Sequence, residues 1–136
     1  MKEGYLSFEE VKGLLPIKYV VGKRVEGCRN VFETGNGSMI AFSKSKEFES
    51  GKWWYSLFIY DLLEKGVNDV CFVLGNHGIV IVSIELLLEY AKFANYNENY
   101  AMGKRYFIRI RKEGTHLVMY QSGHKDIEIT DKLISV

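Results

Sequence analysis

The feature that most constrains the fold is a pair of continuous apolar segments in the middle of the chain. They span residues 70–74 and 79–82, and a short glycine-containing segment, residues 75–78, joins them. A strand with water on one face alternates apolar and polar residues, whereas a strand covered on both faces is apolar throughout. The sequence therefore predicts a β-hairpin that is buried on both faces, in the middle of a sheet or in the wall of a closed barrel.

Short elements separated by glycine turns are predicted on both sides of this hairpin. Ser7 and Glu10 have the spacing of a capping box, and the helix that it begins should end near Pro16. Ser83 is the expected N-cap of another helix. Residues 53–60 carry aromatic rings on both faces, which predicts a strand covered on both sides. The remaining predictions are strands near 18–24, 28–33, 38–43, 105–111, 115–121 and 126–129, a short helix at 61–66, and a loop at 95–103.

The number and order of these elements indicate the fold class. Strands outnumber helices, and no alternation of strand and helix is sustained along the chain. No repeat, low-complexity tract or linker divides the sequence. We therefore predict one α+β domain, residues 1–136, built on a strongly curved, mainly antiparallel sheet or a half-open pseudobarrel with two or three short helices.

Composition and charge exclude several classes of protein. The chain has 47% hydrophobic and 26% charged residues, which is typical of a globular domain. Its net charge of +1 argues against a protein that coats polyanions indiscriminately. Cys28 and Cys71 belong to no CxxC pair, which favours a reducing compartment. No segment approaches the roughly 20 apolar residues of a membrane span, so we expect a soluble, cytoplasmic protein with no membrane partner.

The sequence lacks the motifs of the common catalytic sites. It has neither a dinucleotide fingerprint nor a P-loop nor a GxSxG elbow, and its one Glu-x-Lys, at residues 10–12, lies on the first helix. His116, His124 and Asp126 could form a facial metal triad on neighbouring strands, although the favoured interpretation is a polar turn at residues 122–126 and an exposed strand position for His116. We expect no catalytic residue, cofactor or metal, and a small metal-dependent enzyme is the less favoured alternative.

A basic strand is the strongest candidate for a binding surface. Residues 104–112 contain five basic residues and no acid. Read with a period of two, Tyr106, Ile108 and Ile110 point one way, and the opposite face carries Arg105, Phe107, Arg109 and Arg111. Guanidinium groups pair with phosphates or guanine edges, and a ring can stack on a base. The alternative is a solvated outer strand whose arginines meet cross-strand acids or cover apolar surface.

A second candidate is the segment of residues 42–55, in which serines and lysines alternate before three aromatic residues. Lys44, Lys46 and Lys52 could contact phosphates, although Glu47 and Glu49 reduce the net charge. Trp53 and Tyr55 could line a base pocket, or they could belong to the core. A third candidate is the loop with Tyr96 and Tyr100 among asparagines, a composition that suits adaptable contacts.

The order of the aromatic segment 52–57, the apolar hairpin, the helix at 83–90 and the basic strand resembles small recognition modules of restriction systems, including B3-like pseudobarrel domains. The resemblance covers about residues 40–130 and lies in element order and aromatic placement. It implies a curved sheet with two loop arms, about residues 43–52 and 95–105, that grip the major groove of DNA.

The leading hypothesis is therefore a non-catalytic module that binds double-stranded DNA, the target-reading domain or subunit of a restriction-type nuclease whose catalysis belongs to a protein partner. The alternative is a protein-interaction or assembly domain in which the tyrosine-rich loop forms the interface. The predicted DNA-binding residues are Lys44, Lys46, Lys52, Trp53, Tyr55, Arg105, Phe107, Arg109 and Arg111.

Overall fold

The computed structural model describes residues 4–28, 30–98 and 101–136, and these residues form an α+β fold. The helices are α1 (Phe8–Leu14), α2 (Ile59–Glu64) and α3 (Ile84–Ala91). The strands are β1 (Val21–Arg24), β2 (Val31–Thr34), β3 (Met39–Ser45), β4 (Lys52–Leu57), β5 (Asp69–Leu74), β6 (Gly78–Ser83), β7 (Tyr96–Asn97), β8 (Arg105–Glu113), β9 (His116–Met119), β10 (Ile127–Glu128) and β11 (Leu133–Ser135). No helix in the described ranges is long and apolar enough to cross a membrane.

The strands form two sheets. The six-stranded sheet has the order β1-β2-β3-β5-β6-β11, and the five-stranded sheet has the order β10-β9-β8-β4 with β7 also paired to β8. All pairings between the described strands are antiparallel except that of β3 with β5, which are parallel because β4 and α2 lie between them in the chain. The predictions of an α+β fold and of mainly antiparallel pairing are confirmed, and neither sheet closes into a barrel within the described residues.

The predicted apolar hairpin is the centre of the six-stranded sheet. It consists of β5 and β6, and residues 70–74 are all buried. One face of the hairpin packs beneath α1, where Cys71, Val73 and Ile79 contact a core that includes Leu6 and Val11. The other face belongs to a larger core shared with α3 and the five-stranded sheet, and it contributes Val70, Phe72, Leu74, Val80 and Val82. The prediction of burial on both faces is therefore confirmed.

The two predicted helix starts are also confirmed. The Glu10 N–H donates to the Ser7 hydroxyl at 3.2 Å, and the Ser7 N–H donates to the Glu10 carboxylate at 3.1 Å, which completes the capping box. The Leu86 N–H donates to the Ser83 hydroxyl at 3.2 Å at the start of α3. These side chains satisfy amides that have no partner inside the helix.

The prediction for residues 53–60 is wrong in two respects. The strand ends at Leu57, and Tyr60 lies on α2. The strand is also covered on one side only, because Trp54 lies on the outer face of the five-stranded sheet with 53% of its surface exposed. Consecutive aromatic residues therefore do not show that a strand is covered on both faces, because rings on one face can be exposed to solvent.

The opposite environments of the two tryptophans yield a test of this assignment. Trp53→Ala removes a fully buried ring and should lower the free energy of unfolding by about 3–5 kcal/mol. Trp54→Ala, the matched control on the exposed face, should lower it by only about 1 kcal/mol, because exposed ring contacts contribute about this much. Urea denaturation followed by far-UV circular dichroism measures both values, and similar losses for the two variants would contradict the assigned orientation of β4.

Candidate nucleic-acid interface

The outer face of β4 and β8 collects most of the predicted binding residues. Along β8, Tyr106, Ile108 and Ile110 are buried, and the residues between them point away from the core. We call the outward residues of these two strands the arginine face. Its members are Lys52, Trp54, Ser56, Arg105, Phe107, Arg109 and Arg111.

Aromatic rings separate the cations on the arginine face. Trp54 lies opposite Arg109 in the strand register, and the guanidinium carbon of Arg109 is 4.9 Å from the centroid of the Trp54 ring. The guanidinium of Arg105 lies 5.4 Å from the ring of Phe107, and that of Arg111 lies 4.6 Å from the ring of Tyr120. Each contact of this kind is worth about 0.5–1 kcal/mol at an exposed site. The rings thereby stabilise a row of like charges that would otherwise repel one another.

Carboxylates limit the arginine face at one end. Arg111 donates to Asp126 at 2.5 Å and to Glu113 at 2.6 Å, while the Lys52 ammonium lies 3.4 Å from a Glu49 oxygen. Among the described residues, Arg109 has no acidic partner. The alternative of cross-strand acids therefore holds for Arg111, whereas the middle of the face keeps its positive charge.

A groove adjoins the arginine face where the end of β3 approaches β4. The two strands are joined there by the Trp54 N–H, which donates to the Ser45 hydroxyl at 3.2 Å. The groove has a volume of about 300 Å³. It is lined by Ser43, Lys44, Trp54, Tyr55, Ser56, Arg105 and Phe107. The structure thus brings residues from both sequence-predicted segments around one concave site.

Three of the predicted binding residues do not present their side chains to the groove, and the prediction is wrong for them. Trp53 and Tyr55 point into the core, where their rings are 0% and 4% exposed and cannot stack on a base. The Tyr55 hydroxyl donates to the Val73 carbonyl at 2.6 Å, and burial raises the pKa of this tyrosine well above its ordinary value. The aliphatic part of Lys46 packs against Gly4, away from the groove. The side-chain period of two along β4 places both rings on the face opposite Trp54, and Lys46 lies beyond the end of β3.

The exposed rings beside the groove were missed in the sequence. They belong to Trp54 and Phe48, whose ring centroids are 4.9 Å apart and which are 53% and 49% exposed. The period-two argument used for β8 would have found Trp54, because this residue alternates with Trp53 and Tyr55. Of the tyrosine-rich loop, Tyr96 pairs with Tyr106 through β7, and Asn99 and Tyr100 lie outside the described residues.

A buried tyrosine hydroxyl shapes the middle of β8. The Arg109 N–H on β8 donates to the Tyr90 hydroxyl at 3.2 Å. That hydroxyl in turn donates to the carbonyl of Tyr120, the residue after β9, at 2.7 Å. In a regular antiparallel pair, Arg109 and Tyr120 would exchange two backbone hydrogen bonds. The Tyr120 N–H does donate to the Arg109 carbonyl, whereas the Tyr90 hydroxyl replaces the second bond. Burial raises the pKa of Tyr90, so this hydroxyl stays protonated and bridges the two strands.

A carboxylate holds the loop between β3 and β4. Glu47 accepts the Gly51 N–H at 2.5 Å and lies 3.0 Å from the Nε2 of His77 in the turn of the apolar hairpin. The hydrogen bond from Gly51 is the main reason that the pKa of Glu47 is lowered, and the bond with His77 adds to it. Gly51 itself has a φ of +72°, and a Cβ at this position would lie 2.9 Å from the Lys112 carbonyl oxygen. The loop therefore requires glycine at this position.

The structure does not assemble the alternative metal triad. His116 lies 2.7 Å from Glu128, the ring of His124 stacks on Phe93 at 4.6 Å, and Asp126 pairs with Arg111. Within residues 4–28, 30–98 and 101–136, no group of three or more His, Cys, Asp or Glu side chains could hold a metal ion. The three side chains have separate structural partners.

Comparison of the chain with known proteins gives no match to a family model, to a curated protein or to a solved structure. The function must therefore be argued from the chemistry of the arginine face and the groove.

The Tyr90 bridge gives a testable prediction. Tyr90→Phe leaves the Arg109 amide without its acceptor and should lower the free energy of unfolding by about 1–3 kcal/mol. Amide hydrogen exchange at Arg109 should accelerate in the variant. Tyr60→Phe, in which an exposed hydroxyl is removed and the ring contact with Tyr106 is kept, is the control. Unchanged exchange at Arg109 would contradict the bridging role.

The Glu47 contacts predict a pH dependence of the loop. Because the pKa of Glu47 is lowered in the folded protein, its stabilising effect is present above the unfolded pKa and disappears as the pH falls through the folded pKa. The amide resonance of Gly51 in NMR spectra should titrate with a midpoint below the ordinary glutamate value. His77→Asn should raise this midpoint part of the way, because the bond from Gly51 remains. An ordinary midpoint in the wild-type protein would refute the assigned hydrogen bond.

Proposed function

We propose that this protein is a non-catalytic DNA-binding module that contacts its ligand through the arginine face and the groove. The observation that carries the proposal is that Lys44, Arg105 and the outward rings of Trp54 and Phe107 line one concave site, beside which Arg109 lies over the Trp54 ring. Guanidinium and ammonium groups supply charge-assisted hydrogen bonds to phosphate oxygens, and hydroxyl groups such as those of Ser43 and Ser56 add neutral ones.

The distribution of charge supports local rather than general binding of polyanions. The net charge of +1 creates no long-range attraction, so affinity must come from the contacts at the face itself. Because Arg111 is held between Asp126 and Glu113, the positive region runs from Lys44 through Arg105 to Arg109 and ends before Arg111. The proposed path of the DNA backbone follows these three residues.

We further propose a pseudobarrel architecture and a role in a restriction system. The Trp54 N–H on β4, the edge strand of the five-stranded sheet, donates to Ser45 at the end of β3, an inner strand of the six-stranded sheet. A link of this kind between the two sheets suits a half-open pseudobarrel. The arms expected for a B3-like module correspond to the loop that ends at Gly51 and to the region around β7. In this proposal the protein is cytoplasmic, binds double-stranded DNA, and serves as the target-reading domain or subunit of a restriction-type nuclease whose partner carries the catalysis.

A second candidate function, protein assembly, is favoured by one specific feature. The ring centroids of Tyr60 and Tyr96 lie 6.0 and 5.5 Å from that of Tyr106. Tyr60 is 52% exposed and Tyr96 is 43% exposed. Exposed tyrosines are enriched at protein interfaces. Light scattering that shows a concentration-dependent mass, lost in Tyr60→Ser with Tyr96→Ser, would favour this function over DNA binding.

Fluorescence anisotropy with labelled duplex DNA at several salt concentrations tests the main proposal. Arg105→Ala combined with Arg109→Ala should weaken binding and reduce the slope of log affinity against log salt by about 2, since two phosphate contacts are lost. Lys18→Ala combined with Lys132→Ala removes the same charge from a separate cleft and is the matched control. Absence of binding by the wild-type protein at low salt, or equal losses in the two variants, would refute the proposal.

The carboxylates that hold Arg111 predict a variant that binds DNA more tightly than the wild-type protein. Asp126→Asn releases Arg111 from one of its two carboxylates and should tighten duplex binding several-fold, with a steeper salt dependence. Asp131→Asn, which makes the same charge change in the cleft near Lys18, should have little effect. The same anisotropy titration measures both, and weaker binding by Asp126→Asn would show that Asp126 acts in some way other than by masking Arg111.

A further inference from the structure

We infer that the arginine face and the groove hold unpaired nucleotides, so that the protein binds single-stranded DNA in preference to an intact duplex. The inference rests on the proposed function: the site that contacts double-stranded DNA in that proposal binds a strand with unpaired bases more tightly. It follows from the positions of the two outward rings, Trp54 and Phe107, and from the cations around them.

The spacing of the rings is the first argument. Trp54 lies opposite Arg109 and Phe107 lies opposite Ser56, so the two rings are diagonal neighbours on adjacent antiparallel strands. Side chains in this relation lie about 7–8 Å apart. Consecutive bases along one strand of B-DNA lie about 3.4 Å apart. Two consecutive bases that contact both rings must therefore be separated to about twice the duplex spacing, which requires an unstacked strand.

The availability of base faces is the second argument. Inside a duplex, neighbouring base pairs cover both faces of each base, and a protein ring on a sheet surface cannot reach them. In a single strand the faces are free, and stacking on aromatic side chains is the common mode of recognition. The exposed rings of Trp54 and Phe48 can therefore stack on the bases of a single strand. The backbone of a duplex offers no flat apolar group for them to stack on.

The groove supplies the contacts that a single strand needs beside its stacked bases. Its volume of about 300 Å³ lies between the two rings and the end of β3. Lys44 and Arg105 can pair with the phosphates that flank a stacked base, and the hydroxyls of Ser43 and Ser56 can donate to its polar edge. Arg109, which already lies over Trp54, can contact a phosphate while keeping its ring contact.

Titrations with an unlabelled oligothymidylate and with a blunt duplex of the same length test the inference through tryptophan fluorescence. The single strand should bind at least about tenfold more tightly at equal salt, and it should quench the emission of Trp54 through stacking. In Trp54→Phe, where the buried Trp53 is the remaining reporter, the quenching should disappear while part of the affinity is kept.

Two leucine variants distinguish stacking from charge. Trp54→Leu and Phe107→Leu should each weaken single-strand binding by about tenfold. They should weaken duplex binding clearly less, because a duplex loses only the positioning of Arg109 or Arg105 and no stacked base. Circular dichroism and thermal melting confirm that the variants are folded. Ile17→Ser, which changes an exposed apolar residue away from the groove, is the control and should leave both affinities unchanged.

The outcomes separate the inference from the proposed function. Tight duplex binding without quenching of Trp54, or equal losses of duplex and single-strand affinity in the leucine variants, would overturn the inference and leave the proposed function intact. Absence of binding to either form of DNA at low salt would overturn both.

Discussion

The burial of β5 on both faces is the constraint on which the rest of the structure depends. A strand that is apolar on both faces is stable only if each face is covered by other elements of the fold. Two different layers are needed, because the two faces point in opposite directions. The chain meets this requirement with α1 on one side, and with α3 and the five-stranded sheet on the other. The five-stranded sheet therefore uses only its inner face for the core, and its outer face remains open.

The candidate site is a consequence of that arrangement. An open sheet face can carry polar and charged side chains without an energetic penalty, but a row of like charges on neighbouring strands is unfavourable. Here the rings of Trp54 and Phe107 lie between the cations, and Arg109 and Arg105 rest on them. The contacts that stabilise the face without a ligand thus also position its guanidinium groups at the edge of the groove.

The sequence predicts local features of this fold well and long-range features poorly. The hairpin of β5 and β6, the capped helices and the alternation along β8 follow from patterns within a few residues, and the structure confirms them. The parallel pairing of β3 with β5, and the pairing of β11 with β6, depend on contacts between distant segments and were not predicted. The assignment of Trp53 and Tyr55 failed for a related reason, because composition alone does not reveal which face of a strand a second layer covers.

A chain with almost no net charge can still bind a specific anionic ligand, because among the described residues some cations are neutralised by carboxylates and others are not. Arg111 is paired with two carboxylates, whereas Lys44 and Arg109 rest on aromatic rings. An ammonium or guanidinium held against a ring keeps its formal charge and its outward N–H donors, so it can still bind a phosphate. A cation held by two carboxylates must first give up those contacts. The ligand is therefore expected to contact Lys44 and Arg109 before Arg111, which also lies on a ring but is held by two carboxylates. This places the groove, rather than the whole basic strand, at the centre of recognition.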